Sequence, residues 1–411
     1  MAPTDRNAPV NVIGLDHDTI EVAPSDGNHM CARHGSLGVL CWGDGRYGQL
    51  GDGTWIAHTI PAPVIGLAAP PVMVDTGTDS SCAVVATGNV QCWGDNTHGR
   101  LGDGTTLSRN QPVTVTGLTK AITAVAMGSE HVCALSIDGH VFCWGHNSSG
   151  QLGDGTLDSR ATAAEVPNLG PGITGITSGR YHTCALLADG GAKCWGQNNN
   201  GQLGDGTEIT RTVPIDVVAL GGKVLEIDAG AYHTCVRLLN GNMQCWGDNA
   251  TGQLGDGTLQ SRAIPAYVEG ISDVTGISTG MLHTCAVRAT GDVYCWGYNM
   301  FGELGNGTGL DFVPQTVMVA CYGLNVGHTG AGQDPTYDPA KTASCPDASF
   351  VPGQVVTLVA QPAMGWSVNG WSGTDNDAES GLQNTVTMTS ADRTVAVDYR
   401  AVCYRMTANY S

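Results

Sequence analysis

The stretch Cys-Trp-Gly-Gln-Asn-Asn-Asn-Gly-Gln-Leu-Gly-Asp-Gly-Thr, residues 194–207, is the unit that this 411-residue chain repeats. Successive copies begin 51, 51, 51, 51 and 50 residues apart. The Cys-Trp-Gly triplet starts at Cys41, Cys92, Cys143, Cys194, Cys245 and Cys295. A fixed period of this length is typical of solenoids and propellers.

Each period contains about four short β-rich runs with turn residues between them, and no apolar pattern of helical period. In the fourth copy these runs are residues 163–166, 173–176, 179–187 and 192–196. Four strands in about 50 residues predict one propeller blade. A blade cannot bury both faces of its sheet alone, so neighbouring blades must stack around a ring.

A Pro-x-x-Val run opens each predicted blade and occurs once more than the Cys-Trp-Gly triplet. Its copies begin at Pro9, Pro61, Pro112, Pro214, Pro265 and Pro314, with Ala163 in the fourth copy. We therefore predict an all-β protein whose residues 1–320 form a propeller of six blades, with seven blades as the alternative. The spare strand would join the two ends of the ring.

Paired cysteines support the strand assignment. A second Cys precedes each Cys-Trp-Gly by ten residues, and in the third copy Asp138-Gly139 suits a three-residue hairpin loop between the two. Counting outward from that loop places Cys133 opposite Cys143, within disulfide range. We predict six cross-strand disulfides: Cys31 with Cys41, Cys82 with Cys92, Cys133 with Cys143, Cys184 with Cys194, Cys235 with Cys245, and Cys285 with Cys295.

Composition limits the functions open to the chain. The net charge of −19 argues against nucleic acid or an anionic membrane as a partner. Fifteen cysteines at regular spacing indicate an oxidising compartment, which predicts a secreted or cell-surface protein. No apolar run is long enough to span a bilayer, and the N-terminus lacks the apolar core of a signal peptide. We expect a monomer.

The repeat Gly-x-x-His-Thr-Cys-Ala-Leu, followed by Gly-x-Val-x-Cys-Trp-Gly-x-Asn-x-x-Gly-Gln-Leu-Gly-Asp-Gly-Thr, resembles the regulator of chromosome condensation repeat. The resemblance covers about residues 6–318 and implies a β-propeller, usually of seven blades. Two cysteines per blade make the chain similar to secreted bacterial relatives. The resemblance also implies that the Gly-x-x-His loops lie on one face of the propeller.

The polar residues that recur in most copies are predicted to be structural. His29, His131, His182, His233 and His283 precede the first Cys of their blades, and equal placement around a ring separates them too far to share a metal ion. The Asp of Gly-Asp-Gly-Thr offers one carboxylate per loop, which is too few for calcium, so it more plausibly caps a turn. We expect no cofactor and no metal.

Residues that differ between copies are the candidates for binding. After Gly in Gly-x-x-His, and after Trp-Gly, blades four to six become aromatic and apolar. Such clusters, when exposed, mark interaction surfaces. The predicted binding patch comprises Tyr47, Arg180, Tyr181, Tyr232, Met281, Leu282, Tyr298, Met300 and Phe301.

After Val317 the pattern changes. Residues 321–402, from Cys321-Tyr322-Gly323-Leu324 onward, resemble the divergent internalin-type B-repeat, which implies a small β-grasp-like module. We expect Cys321 to pair with Cys345. Residues 403–411 repeat the Cys-Tyr opening, which suggests the start of a further module with a partner for Cys403 beyond Ser411.

Three classes of function remain open. The first is a non-catalytic secreted or cell-surface protein that binds a protein or glycan through one propeller face. The second is an enzyme, such as a glycan- or polymer-active hydrolase or lyase, although no Gly-x-Ser-x-Gly, His-Glu-x-x-His or phosphate loop is present. The third is a secreted inhibitor of an enzyme. We expect the first.

Overall fold

The computed structural model describes residues 12–15, 18–24, 27–305, 311–316, 322–338, 349–350, 355–363, 366–378, 380–387 and 393–401. The chain divides near residue 317 into two compact units. The described residues are strands and turns, apart from one turn of 3-10 helix at Thr97–Gly99. None of the described helical segments has the length and apolar character needed to cross a membrane.

Six four-stranded antiparallel sheets make up the described part of the first unit, one for each Cys-Trp-Gly. The first strand of every sheet contributes to the wall of one central channel, so the sheets are the blades of a propeller. In chain order the blades are β1 (Thr19–Pro24), β2 (His29–His34), β3 (Gly38–Gly43) and β4 (His58–Pro63); β5 (Pro71–Thr76), β6 (Ser80–Val85), β7 (Val90–Gly94) and β8 (Arg109–Thr114); β9 (Ile122–Met127), β10 (His131–Ser136), β11 (Val141–Gly145) and β12 (Arg160–Glu165); β13 (Ile173–Ser178), β14 (His182–Leu187), β15 (Ala192–Gly196) and β16 (Arg211–Asp216); β17 (Val224–Ala229), β18 (His233–Leu238), β19 (Met243–Gly247) and β20 (Arg262–Tyr267); and β21 (Val274–Thr279), β22 (His283–Arg288), β23 (Val293–Gly297) and β24 (Asp311–Thr316).

The Pro-x-x-Val strand ends a blade instead of opening one. β12, which contains Ala163, pairs with β11 of the preceding sheet, and the next sheet begins at β13. The prediction of four strands per period is confirmed, but the predicted phase of the blade was wrong. The spare copy at Pro9 lies outside the described residues.

Every predicted propeller disulfide is present. Cys133 lies opposite Cys143 in the register of β10 and β11, and Ser136 N–H donates to the carbonyl of His140 at 2.9 Å to close the hairpin. The paired Cα atoms are 4.1 or 4.2 Å apart in all six pairs. The predicted pair Cys321 and Cys345, and Cys403, lie outside the described residues.

The repeated His is structural, as predicted, because it links its blade to the next one. His131 Nε2 lies 2.9 Å from Thr183 Oγ1 of the following blade. Thr183 donates its own proton to the carbonyl of Gln151, so the His must donate through Nε2. Trp195 Nε1 donates to that same carbonyl at 2.9 Å. Equivalent His contacts join His29 to Ser81, His182 to Thr234, and His233 to Thr284.

Burial keeps these imidazoles neutral. Desolvation lowers the pKa of His131, His182 and His233 to about 3. It lowers the pKa of His29 to about 4. The Trp residues of blades two to six are fully buried at the same interfaces, whereas Trp42 in blade one is only partly buried.

Two exceptions to the His contact occur together. Blade two has Ser80 where the others have His, and the following blade has Val132 where blades two, four, five and six have a hydroxyl. Donor and acceptor are thus lost as a pair at one interface. Among the described residues no such bond runs from blade six to blade one, where Met30 occupies the hydroxyl position.

This pairing predicts energetic coupling. Thr183→Val should cost about 2 kcal/mol of unfolding free energy, because it leaves the Nε2 proton of His131 buried without an acceptor. His131→Ser should also destabilise the fold. The double variant, which copies Ser80 with Val132, should lose less than the sum of the two by about 1 kcal/mol. Urea unfolding of the four proteins measures this; strict additivity would show that the bond is energetically neutral.

The Gly of Gly-x-x-His allows the blades to approach closely at this end of the channel. A Cβ on Gly179 would lie 2.2 Å from the ring of His182 and 2.4 Å from the carbonyl oxygen of Gly230. No side chain fits between these groups. The Gly is therefore required for the close packing of the His interface.

The second unit has its own core. One sheet has the order β27 (Ser349–Phe350), β25 (Tyr322–Thr329), β31 (Arg393–Ala401) and β29 (Trp366–Ser372), with β25 and β31 parallel. The other has the order β26 (Gly332–Asp338), β28 (Val355–Pro362) and β30 (Gln383–Thr387). Val356, Leu358, Trp371 and Val397 are among the residues buried between them.

Candidate functional site

Sheet topology places the variable loops at one end of the propeller. In an antiparallel sheet the connection between strands one and two and the connection between strands three and four lie at the same end of the strands. The Gly-x-x-His loops are the first kind and the loops after Trp-Gly are the second. We call this end the loop face. The hairpins between strands two and three, such as the one at Asp138-Gly139, lie at the opposite end.

Arg180 is at the centre of an aromatic cluster on the loop face. Its guanidinium carbon is 5.4 Å from the ring centroid of Tyr181 and 5.8 Å from that of Tyr232. Backbone bonds tie the loops of blades four to six together: Arg180 N–H donates to the carbonyl of Ala231, and Ala231 N–H donates to that of Met281. Stacking of this kind stabilises the cluster by about 1 kcal/mol.

A polar cleft of about 260 Å³ lies beside this cluster, and Tyr47, Arg180 and Tyr181 line it. Its other charged groups are Asp79, Asp95, Arg100 and Glu130. Arg100 is 4% exposed, and its guanidinium lies 3.2 Å from Asp95 Oδ2. Burial raises the pKa of Asp79. The cleft thus carries three carboxyl groups against two guanidinium groups, which suits a ligand that presents basic groups.

The apolar members of the predicted patch form a second group in blade six. Met281, Leu282, Tyr298 and Phe301 line a cleft of about 470 Å³ together with Gly27 of blade one. The rings of Tyr298 and Phe301 meet edge to face at 6.4 Å. Tyr298 donates its hydroxyl proton to the sulfur of Met300 at 3.1 Å. Met300 is 71% exposed and Phe301 is 58% exposed.

The predicted patch is therefore two neighbouring surfaces. The Arg180 cluster with Tyr47 borders the polar cleft, and the blade-six residues form the apolar cleft. The Ala231 to Met281 backbone bond connects the loops that carry them. The sequence analysis did not identify Arg100 as a site residue. An alignment of the repeats distinguishes it, because the other copies have Gln or Glu at that position.

The Asp of Gly-Asp-Gly-Thr belongs to its own turn, as expected. Asp205 accepts the backbone N–H and the hydroxyl proton of Thr207, and its other oxygen accepts from Arg211. Partial burial raises the pKa of Asp205, but the bonds from Thr207 and Arg211 outweigh it, so the net pKa is lowered. The equivalent Asp residues of blades two, three and five make the same contacts with Thr and Arg. The carboxylate oxygens of these Asp residues therefore accept hydrogen bonds from residues of their own repeat.

Comparisons with known proteins agree with this architecture. The RCC1-like domain matches residues 2–337, and the divergent InlB B-repeat domain matches residues 336–410. The ultraviolet-B receptor UVR8 of Arabidopsis thaliana is 34% identical over 239 residues, which are 57% of this chain and 54% of that protein. The human E3 ubiquitin-protein ligase HERC2 is 30% identical over 60% of this chain but only 5% of its own length.

Solved structures show the same fold. Human WBSCR16 superposes with a TM-score of 0.68 at 23% identity and covers 77% of this chain and 85% of its own. Yeast RCC1 (Prp20), solved bound to Kap60, gives 0.65 at 22% identity, over 73% of this chain and 75% of its own. The RCC1-like match spans well over half of the sequence, and the blades carry its repeat, so the chain belongs to the RCC1-like domain family and continues into a divergent InlB B-repeat domain.

Proposed function

We propose that this chain is a non-catalytic, secreted or cell-surface propeller that binds a protein partner through its loop face. The observation that carries the proposal is the pair of surfaces on that face: the Arg180 cluster with its polar cleft, and the exposed Met300 and Phe301 beside the apolar cleft. Aromatic, Met and Arg side chains are enriched at protein interfaces.

Two further facts support the proposal. Six intramolecular disulfides suit an oxidising environment outside the cytosol. One family member, yeast RCC1 (Prp20), was solved in complex with the protein Kap60. The exposed apolar side chains of blade six, on the same face as the polar cleft, favour a protein partner over a glycan. Glycan sites rely instead on hydrogen-bonding groups around an aromatic side chain.

A screen with matched variants tests the proposal. Wild type, the face variant Tyr181→Ala/Met300→Ser/Phe301→Ser, and the control Ile137→Ser/Leu239→Ser are exposed to arrays of extracellular proteins and of glycans. Ile137 and Leu239 are 74% and 65% exposed at the opposite end of the blades. A protein partner should bind wild type and control alike, and the face variant at least about 100-fold more weakly, since central interface residues carry most of the affinity.

Three outcomes of the screen would each contradict a different part of the proposal. Loss of binding in the control alone would place the interface at the hairpin end. Binding to glycans without any protein partner would replace the proposed class of ligand. Turnover of a captured polymer would make the chain an enzyme.

A further inference from the structure

Three side chains of metal-ligand type converge on the loop face: His98 of blade two, and Glu130 and His146 of blade three. Their ligand atoms all lie within 4.8 Å of one another. Within the described ranges, no other group of three His, Cys, Asp or Glu residues meets that condition. We propose that these three residues bind a divalent transition-metal ion, with Zn²⁺ as the preferred ion. The site does not depend on whether the face binds a protein.

The distances suit a tetrahedral ion. Glu130 Oε2 lies 3.2 Å from His146 Nδ1 and 3.8 Å from His98 Nε2. Zinc bonds of about 2.0–2.1 Å to N and O imply ligand-to-ligand distances of about 3.3 Å. The two imidazole rings are tilted by 32° with centroids 4.3 Å apart. Small side-chain rotations would complete the geometry.

The ligand atoms present lone pairs to one another. Gln151 Nε2 lies 3.2 Å from His146 Nδ1, and an amide NH₂ can only donate, so Nδ1 carries a lone pair. A cation would take the place of the Gln151 N–H at that lone pair and would lie between it and the carboxylate oxygen of Glu130, which is 3.2 Å away.

The site occurs where one residue, Arg100, differs from its equivalents in the other repeats. In the other blades a Gln or Glu side chain accepts the backbone N–H two residues before it, as Gln151 does for Ser149. Blade two has Arg100 there, and its Nε instead donates to the carbonyl of Thr97. Without that acceptor His98 adopts a φ of 62°, whereas its described equivalents in the other blades, such as Ser149, keep negative φ.

Arg100 is a cationic side chain beside the cluster that must be accommodated. Its guanidinium lies 3.2 Å from Asp95 Oδ2 and 3.9 Å from Glu130 Oε1. It also donates to the carbonyl of Ser129. Asp95 neutralises the guanidinium, and Glu130 keeps Oε2, the oxygen nearest both imidazoles, for the ion. Three protein ligands leave a fourth position open to water or to a partner's side chain.

The test uses untagged full-length protein with any free thiols alkylated beforehand. Calorimetric titration with Zn²⁺ and the visible absorption of bound Co²⁺ are measured for wild type, His98→Ala, Glu130→Gln and His146→Ala. The control is His140→Ala, which removes a surface His paired with Glu165 at 2.6 Å. Wild type and control should bind one ion and show the tetrahedral Co²⁺ spectrum. Each site variant should bind at least about 100-fold more weakly, because lost ligands cost more than lost outer partners.

Three results would overturn the proposal: no binding to wild type, equal affinity in all variants, or loss of binding in His140→Ala. Trp fluorescence of each variant confirms its fold. Glu130→Gln preserves side-chain size, so its loss of affinity cannot be attributed to misfolding.

Discussion

Reduction of the six propeller disulfides is expected to unfold the propeller at neutral pH. Each disulfide closes a hairpin with a sequence separation of 10 residues. Closing so short a loop stabilises a fold by at most about 3 kcal/mol. Six together therefore amount to at most about 18 kcal/mol, more than the total stability of a typical domain. The cysteines of the described pairs are fully or largely buried in the sheets.

Urea unfolding followed by Trp fluorescence, with and without reductant, measures this effect. The reduced wild type keeps its sulfur atoms. Any loss of unfolding free energy therefore comes from the missing cross-links and not from altered packing. Removing the pairs one blade at a time, beginning with Cys184→Ala/Cys194→Ala, should lower the midpoint in steps. An unchanged midpoint in the reduced protein would show that blade packing alone holds the ring.

The disulfide register could be read from the sequence because it depends on local geometry. An Asp-Gly turn fixes which residues face each other across a hairpin, and Cys133 and Cys143 follow by counting. The phase of the blade could not be read in this way. A repeat has no intrinsic start, and the strand containing Ala163 could pair with the strand before it or with the one after it.

The candidate site was predicted only in part for the same reason. Variable positions such as Tyr181 and Phe301 can be aligned between copies, and topology then puts them on one face. Which of them meet depends on loop conformation. The approach of His98 to His146 depends on Arg100, which replaces the Gln or Glu of the other blades, and on the positive φ of His98.

Acidification from pH 7 to pH 5 is the second large effect, and it should destabilise the propeller by up to about 6 kcal/mol. The folded pKa of His131, His182 and His233 is about 3, well below the unfolded value of 6.5. Their contribution is therefore complete above pH 6.5 and is lost as the pH falls toward the folded pKa. Each of these, and His29 with its pKa of about 4, loses about 2 kcal/mol over this interval.

Two buried carboxyl groups in the central channel act in the opposite direction. Burial raises the pKa of Asp75 to about 7 and raises that of Asp228. A raised folded pKa gives stability at low pH that is lost as the pH rises through the folded value. Asp75 therefore raises the unfolding free energy by about 2 kcal/mol on acidification from pH 7 to pH 5. The four histidines outnumber the two aspartates, so the net effect is a loss.

Replacement of one His separates titration from packing. His182→Gln retains a donor toward Thr234 but cannot take up a proton. Its unfolding free energy should fall by about 2 kcal/mol less than that of wild type between pH 7 and pH 5. His140→Gln, at the surface, should follow wild type. If His182→Gln lost as much stability as wild type on acidification, the buried His interfaces would not be the source of acid sensitivity. Protonation would place the added proton on His182 Nδ1, since Nε2 already donates to Thr234, and this buried Nδ1 has no hydrogen-bond acceptor among the described residues.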